Sequence, residues 1–232
     1  MKIDHVTFAT TGGSGRVAHL LAKAQEETNL DTKILTLSPS GLRQSPFSHP
    51  TLTVRAALDE LVIKEPKSPG MISVARRDFG SYLHSSIRSD SLIHLHWVEG
   101  VLNHQQIANL LEGGRKIVWT LHDSAPFTGG CHSPLGCSEF IKSCNHCPQV
   151  RPIFASLISK SHREISKNKF ENKNLTIVAP TKALARDARS SILFRGSQVE
   201  VIGNPISNSY FSTGDQTAAR KRLGITDANV VG

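Results

Sequence analysis

Six short runs of β-forming, mostly apolar residues recur along this chain, and the segments between them carry apolar residues at helical spacing. The strand candidates are residues 3–8, 33–37, 92–95, 116–121, 175–179 and 199–202, with a weaker edge candidate at 52–54. Several are apolar almost throughout, as expected of strands covered on both faces of a parallel sheet. The helix candidates are residues 16–28, 72–88, 105–111, 153–170 and 181–190. Strand–helix alternation of this kind calls for right-handed βαβ crossovers, so the expected fold is α/β: a doubly wound, mainly parallel Rossmann-like sheet with helices on both faces. The stretch 38–50 is rich in Ser, Pro and Gly and reads as a loop.

With 232 residues, 38% hydrophobic and 20% charged, the chain can bury a sizeable core and is not of disordered composition. No apolar run approaches the roughly 20 residues that span a bilayer. Asp4 and His5 interrupt the N-terminus at once, which leaves no signal-peptide core. The expectation is a cytoplasmic protein that is not integral to a membrane. After 201–205 comes a polar connection, a helix candidate at 217–223 and a strand-like start at 229–231. The expected organisation is a Rossmann-like domain over 1–205, with a Cys-rich loop at 129–148. Residues 206–232 are expected to be an interdomain connection and the start of a truncated second domain.

Gly12, Gly13, Ser14, Gly15 and Arg16 follow the first strand and open the first helix. Glycines there let backbone approach a ligand, and the free N–H groups of a helix start favour an anion. Ala18 stands where a dinucleotide fingerprint needs its third glycine, and no acidic residue closes the second strand. Both departures argue against a nicotinamide-dependent oxidoreductase. Two further strand ends carry His94, His96 and Trp97, and His122 with Asp123. Ligands of open α/β sheets sit beyond the carboxyl ends of strands, so these ends and the glycine loop should meet in one cleft. Asp123 is a candidate to orient His122.

All four cysteines fall in one segment, Cys131-x5-Cys137-x6-Cys144-x2-Cys147. Four thiolates match a tetrahedral structural zinc, with His132 and His146 as substitute ligands. Two disulfides or reduced buried thiols are the alternatives, and in each case the loop is a structural clip. No catalytic metal is expected, because four protein ligands leave no open position.

Charge is uneven. Residues 151–195 hold ten positive and three negative residues, a balance of +7 within a chain whose net charge is +8. Such a stretch suits nucleic acid, an anionic lipid surface or a phosphorylated substrate, or else forms two solvated helix faces.

Taken in order, Gly-Gly-Ser-Gly-Arg at 12–16, His-Leu-His-Trp at 94–97, Val-Trp-Thr-Leu-His-Asp at 118–123 and Pro-Phe-Thr-Gly-Gly-Cys at 126–131 resemble family 4 glycosyltransferases of the GT-B fold. Cys-Asn-His-Cys-Pro at 144–148, Ile-Val-Ala-Pro-Thr at 177–181 and Val-Ile-Gly-Asn-Pro at 201–205 continue the likeness across nearly the whole chain. The resemblance implies the N-terminal, acceptor-side domain of an enzyme that moves a sugar from a nucleotide-sugar co-substrate to a glycan or lipid-linked acceptor in polysaccharide biosynthesis. It implies transfer with retention and no catalytic metal, and it implies inactivity without a C-terminal donor domain. His122 then becomes the catalytic contact and Asp123 its support, while Gly13, Ser14, Gly15, Arg16, His96 and Asn204 contact donor or acceptor. Polysaccharide enzymes of this kind work at the inner membrane face, so peripheral contact through the basic segment is expected. If residues 153–170 are helical, Phe154, Leu157, Ile158 and Ile165 either face the membrane or pack on the sheet. The alternatives are a complete subunit of a split transferase that needs a donor-domain partner, and a zinc-stapled basic nucleic-acid-binding module. Only 6% of residues are aromatic and they do not interleave with the charges, so stacking platforms for nucleic acid are missing.

Overall fold

A computed structural model of the chain describes residues 1–38, 72–73, 85–168, 170–207 and 214–225. Six strands form one sheet: β1 (Lys2–Ala9), β2 (Asp31–Ser38), β3 (Leu92–Leu95), β4 (Ile117–Thr120), β5 (Leu175–Ala179) and β6 (Gln198–Val201). Their order is β2-β1-β3-β4-β5-β6, and every neighbouring pair is parallel. This is the doubly wound Rossmann-like architecture that the alternation of strands and helices predicts. The chain leaves β1 towards β2 and returns on the other side as β3. The strand order therefore reverses between β1 and β3, where a crevice opens in sheets of this class.

Among the described residues the full helices are α1 (Gly12–Glu26), α2 (His104–Glu112), α3 (Ala155–Ser166), α4 (Lys182–Ser190) and α5 (Gln216–Arg222), and residues 85–86 are also helical. Local chemistry fixes the start of several of them. Asn103 and Gln106 form a reciprocal capping box on α2, each side chain 2.9 Å from the other's backbone N–H. Thr181 accepts from Leu184 N at α4, and Asp215 accepts from Thr217 N at α5. The predicted helix over 153–170 is shorter than expected. A 3-10 turn at Pro152–Phe154 precedes α3, and Phe170 lies beyond its end as a fully buried core residue. The predicted helix over 72–88 is wrong at its start, because Ile72 makes an antiparallel bridge with Cys131 and Ser73 N donates to Gly130 O. Residues 74–84, the edge candidate at 52–54, the loop after 38 and the strand-like start at 229–231 lie outside the described residues.

The two faces of the sheet are filled by different chemistry. On one, Trp119 meets Phe194 and Phe170 at ring separations of 5.6 and 6.1 Å, and Phe127 meets Phe140 at 5.6 Å. Ile107, Leu110 and Leu111 of α2 and Ile158 and Ile165 of α3 join this core. Truncating one such ring costs about 3–5 kcal/mol. On the other face, under α1, the sheet carries His5, His94, His96 and Thr120 where apolar residues would be ordinary. The alternation Ile3-Asp4-His5-Val6-Thr7-Phe8 puts His5 on that face, and parallel register sets it beside His94. Asp4, fully buried, accepts from Arg88 N and Nε and from Ser91 Oγ at 2.7–2.8 Å, so its charge is met within the fold.

Candidate functional site

Beyond the carboxyl ends of β1, β3, β4 and β6 lies an open cleft of about 630 Å³. Its walls are Phe8 and Ala9 from β1, Thr11 to Ser14 from the start of α1, Trp97, His122, Asp123, His132 and Asn204. Of the residues singled out in the sequence, Gly13, Ser14, His122, Asp123 and Asn204 meet here. Gly15 sits beneath the cleft: a Cβ at this position would lie 2.3 Å from Ala9 O and 2.6 Å from Thr10 C, so only glycine lets α1 start this close to β1. Arg16 is exposed on α1 and does not line the cleft. His96 lies buried behind His122.

Unlike α2, α4 and α5, α1 has no side-chain cap; its N-cap, Thr11, leaves the first-turn N–H groups without one. Those groups, Gly12 with φ 80° and the open space around Gly13 give the cleft an anion-receptive end.

Four imidazoles stand behind and beside this cleft. His5 Nε2 lies 2.8 Å from Gln25 Oε1 on α1, and His5 Nδ1 lies 3.0 Å from His96 Nε2. His96 Nδ1 is 3.3 Å from His122 Nε2, and His94 Nε2 is 2.8 Å from Thr120 Oγ1. Burial disfavours the charged form of each ring. It pushes His94 down to about 3 and His96 well below the ordinary histidine value, with neighbouring histidines adding to both shifts. His5 and His122 are also lowered by burial, opposed at His5 by Gln25 and Asp4 and at His122 by Asp123. At neutral pH the cluster is uncharged.

Asp123 does not orient His122, contrary to expectation. One of its oxygens accepts from Ala125 N at 2.9 Å and the other from His132 Nδ1 at 2.8 Å. His132, expected as a substitute zinc ligand, is instead held between Asp123 and Ser73 Oγ, the latter 2.7 Å from Nε2. The Ser73–His132–Asp123 series has the connectivity of a hydrolytic triad. Ser73, however, is 7% exposed, does not line the cleft, and has its own N–H committed to Gly130 O. It therefore lacks the access and the free backbone donor that an oxyanion hole needs. Gly130 holds this loop against Ser73 at φ 129°, where a Cβ would meet Ser73 O at 2.4 Å.

Cys131, Cys137, Cys144 and Cys147 line one small cavity of about 20 Å³ with Phe140 and Ile158. All four are free thiols. Cys131 Sγ donates to Ser133 O and accepts from Gln149 Nε2, and burial pushes the Cys131 and Cys144 thiols up to about 12. No three of the sulfurs lie within 4.8 Å of one another; among the described residues only His5, His94 and His96 meet that condition. The cysteines thus converge on one small cavity, with their sulfurs spaced more widely than in a closed ligand shell. His146, the other substitute ligand, is 88% exposed in its side chain, 3.8 Å from Glu139.

The apolar residues of the basic segment divide. Ile158 and Ile165 are core residues and Phe154 packs against the core, whereas Leu157 is 43% exposed and Ile153 77%. Part of the positive charge is engaged: Lys167 pairs with Glu164, Arg186 with Asp187, and Arg189 bonds Val199 O. No helix among the described residues is long and apolar enough to cross a membrane.

No protein-family model matches the chain, and no curated protein matches its sequence at a significant level.

Sequence reasoning missed His5, Gln25, Thr11 and the cleft position of His132. For His5 a signal existed, since a histidine at an inward strand position needs a polar partner. The pairing of His132 with Asp123 had none, because it depends on the path of a loop.

Proposed function

We propose that this chain is the acceptor-side domain of a glycosyltransferase that moves a sugar from a nucleotide-sugar donor to a glycan or lipid-linked acceptor, with retention. The observation that carries the reading is the cleft at the strand-order reversal, where an uncapped helix start faces His122, a neutral imidazole. The N–H groups at Gly12, Gly13 and Ser14 suit the diphosphate that leaves, and stabilising that charge is the main electrostatic task in sugar transfer. His122 offers a hydrogen bond to a sugar hydroxyl, and Trp97 and Phe8 offer apolar walls. Asp123, the carboxylate among the described residues of the cleft, is engaged at both oxygens, which favours a role in holding His132 over one as a covalent nucleophile. The chemistry is therefore positioning, hydroxyl activation and diphosphate stabilisation, with no catalytic metal called for.

A donor-binding domain, in the same polypeptide or in a partner subunit, completes the site in this reading. The cysteine loop is structural and sets His132 in the cleft wall; no chemical step runs through a metal there. Exposed Ile153 and Leu157 beside the basic residues of α3 support peripheral contact with an anionic membrane face.

The test is sugar transfer with a donor-binding domain supplied, following release of nucleoside diphosphate and the anomeric configuration of the product. The expected result is acceptor-dependent release with retention, absent when either domain is omitted. Full transfer without this chain, or inversion, would refute the reading.

A further inference from the structure

Besides lining the cleft, His122 is the last member of a hydrogen-bonded series that runs through the sheet to α1. Gln25 Oε1 can only accept, so His5 must donate to it from Nε2. A neutral imidazole carries one proton, which leaves His5 Nδ1 as an acceptor facing His96 Nε2 at 3.0 Å. His96 must then donate from Nε2 and accept at Nδ1, where His122 Nε2 stands 3.3 Å away. By the same rule His122 holds its proton on Nε2 and keeps its lone pair on Nδ1. One amide carbonyl on α1 thereby fixes three tautomers in succession.

We propose that Gln25, His5 and His96 form a directional imidazole relay that holds His122 as its Nε2–H tautomer and so makes His122 Nδ1 the proton-accepting atom offered to the acceptor hydroxyl. The identity of that hydroxyl rests on the glycosyltransferase reading; the relay itself does not. Gln25, His5 and His96 are positioning residues.

Ring geometry supports a relay over a metal site. His5 and His96 have centroids 5.3 Å apart with planes inclined 26°, and His96 and His122 are 5.6 Å apart at 33°. These pairs lie edge to edge and nearly coplanar, as an in-plane N–H···N bond requires. His94 instead stacks on His96 at 4.3 Å and 25°. Three metal ligands must aim their in-plane lone pairs at one point, and a stacked pair does not. The nitrogens of His5 and His96 are, moreover, already committed to the series.

The relay also gives a proton somewhere to go. When the acceptor O–H bond breaks, its proton bonds to His122 Nδ1. The Nε2 proton of His122 can pass to His96 Nδ1, and the Nε2 proton of His96 to His5 Nδ1. The chain then holds one extra proton, and its positive charge rests on His5. At that end Gln25 Oε1 and the Asp4 carboxylate oppose the penalty that burial places on a charged His5. Reversal of the same transfers returns the proton through His122 Nδ1 to an oxygen of the leaving diphosphate. The other ionisable groups near the series are His94, stacked on it, and Asp123, beside His122.

Long-range proton–nitrogen NMR of the histidine rings in the whole chain at pH 7 tests this, since it reports which nitrogen bears hydrogen. The expected spectrum shows His5, His96 and His122 neutral and protonated on Nε2, with His132 protonated on Nδ1 against Asp123. Gln25→Met removes the acceptor and should turn His96 and His122 into tautomer mixtures while His132 stays unchanged. A wild-type His122 protonated on Nδ1 would overturn the relay, as would Gln25→Met leaving both rings as they were. A metal-induced shift of His5, His94 and His96 together on adding zinc would overturn it in favour of ligation. Each of these results is independent of whether the chain binds a nucleotide sugar.

Discussion

Two histidines face the same cleft and are held there by opposite means. His132 is fixed by a carboxylate: Asp123 accepts from its Nδ1, and Ser73 stands at Nε2. His122 has no hydrogen bond to a carboxylate and is fixed through two buried imidazoles and an amide on α1. The first arrangement engages both ring nitrogens, with Asp123 and Ser73, and the second engages one nitrogen of a ring that burial keeps neutral.

The largest expected difference between the two lies in transfer rate. In the complete transferase His122→Ala should lower the rate by about 10²–10⁴-fold, the usual worth of a positioned proton acceptor, and His132→Ala by about tenfold. Equal losses would erase the distinction.

Acid should expose the neutral cluster next. His5, His94, His96 and His122 all protonate less readily in the folded chain than at the ordinary value of 6.5. Because the unfolded chain binds those protons first, stability is complete above that pH and is lost as pH falls below it. The expected loss is on the order of 1 kcal/mol per pH unit for each ring. Urea unfolding midpoints between pH 7.5 and 5 measure it, and a flat profile would show that the rings are not held neutral.

Asp123→Asn should cost about 1–3 kcal/mol by leaving a poorer acceptor at His132. Combined with Gln25→Met, the two losses should add to within about 0.5 kcal/mol in a double-mutant cycle, because Gln25 and Asp123 share no hydrogen-bond partner. A larger coupling would mean one network, not two.

The smallest effect concerns the membrane face. Ile153→Glu with Leu157→Glu should weaken sedimentation with anionic vesicles several-fold while leaving the unfolding midpoint unchanged, since both side chains are exposed. Unaltered sedimentation would remove that face from the account.

Much of the fold was legible because it follows from period. Runs such as Leu92–Leu95 and Leu175–Ala179 match the observed strands end to end, since continuous apolar stretches of that length have few other uses in a doubly wound sheet. The glycine loop and His122 were legible for the same reason: strand ends on one side of a parallel sheet must share a crevice. The start of the helix candidate at 72–88 misled, because Ile72 is drawn into a bridge with Cys131, 59 residues downstream. The partner of Asp123 was hidden as well. The preceding residue, His122, was an obvious candidate, but Ser124 N bonds His132 O and brings the loop back, so the carboxylate meets His132 instead. The relay needed register: only the pairing of His5 with His94 shows that a histidine in the first strand stands beside two in the third.

The most direct test of the central claim is a titration of the labelled chain with a nucleoside diphosphate, following the amides of Gly12, Gly13 and Ser14 and the ring of His122. The expected result is saturable shifts at these positions, with NAD and single-stranded nucleic acid producing none there. Shifts confined to the basic faces of α3 and α4, with the cleft silent, would contradict the assignment of this cleft to sugar transfer.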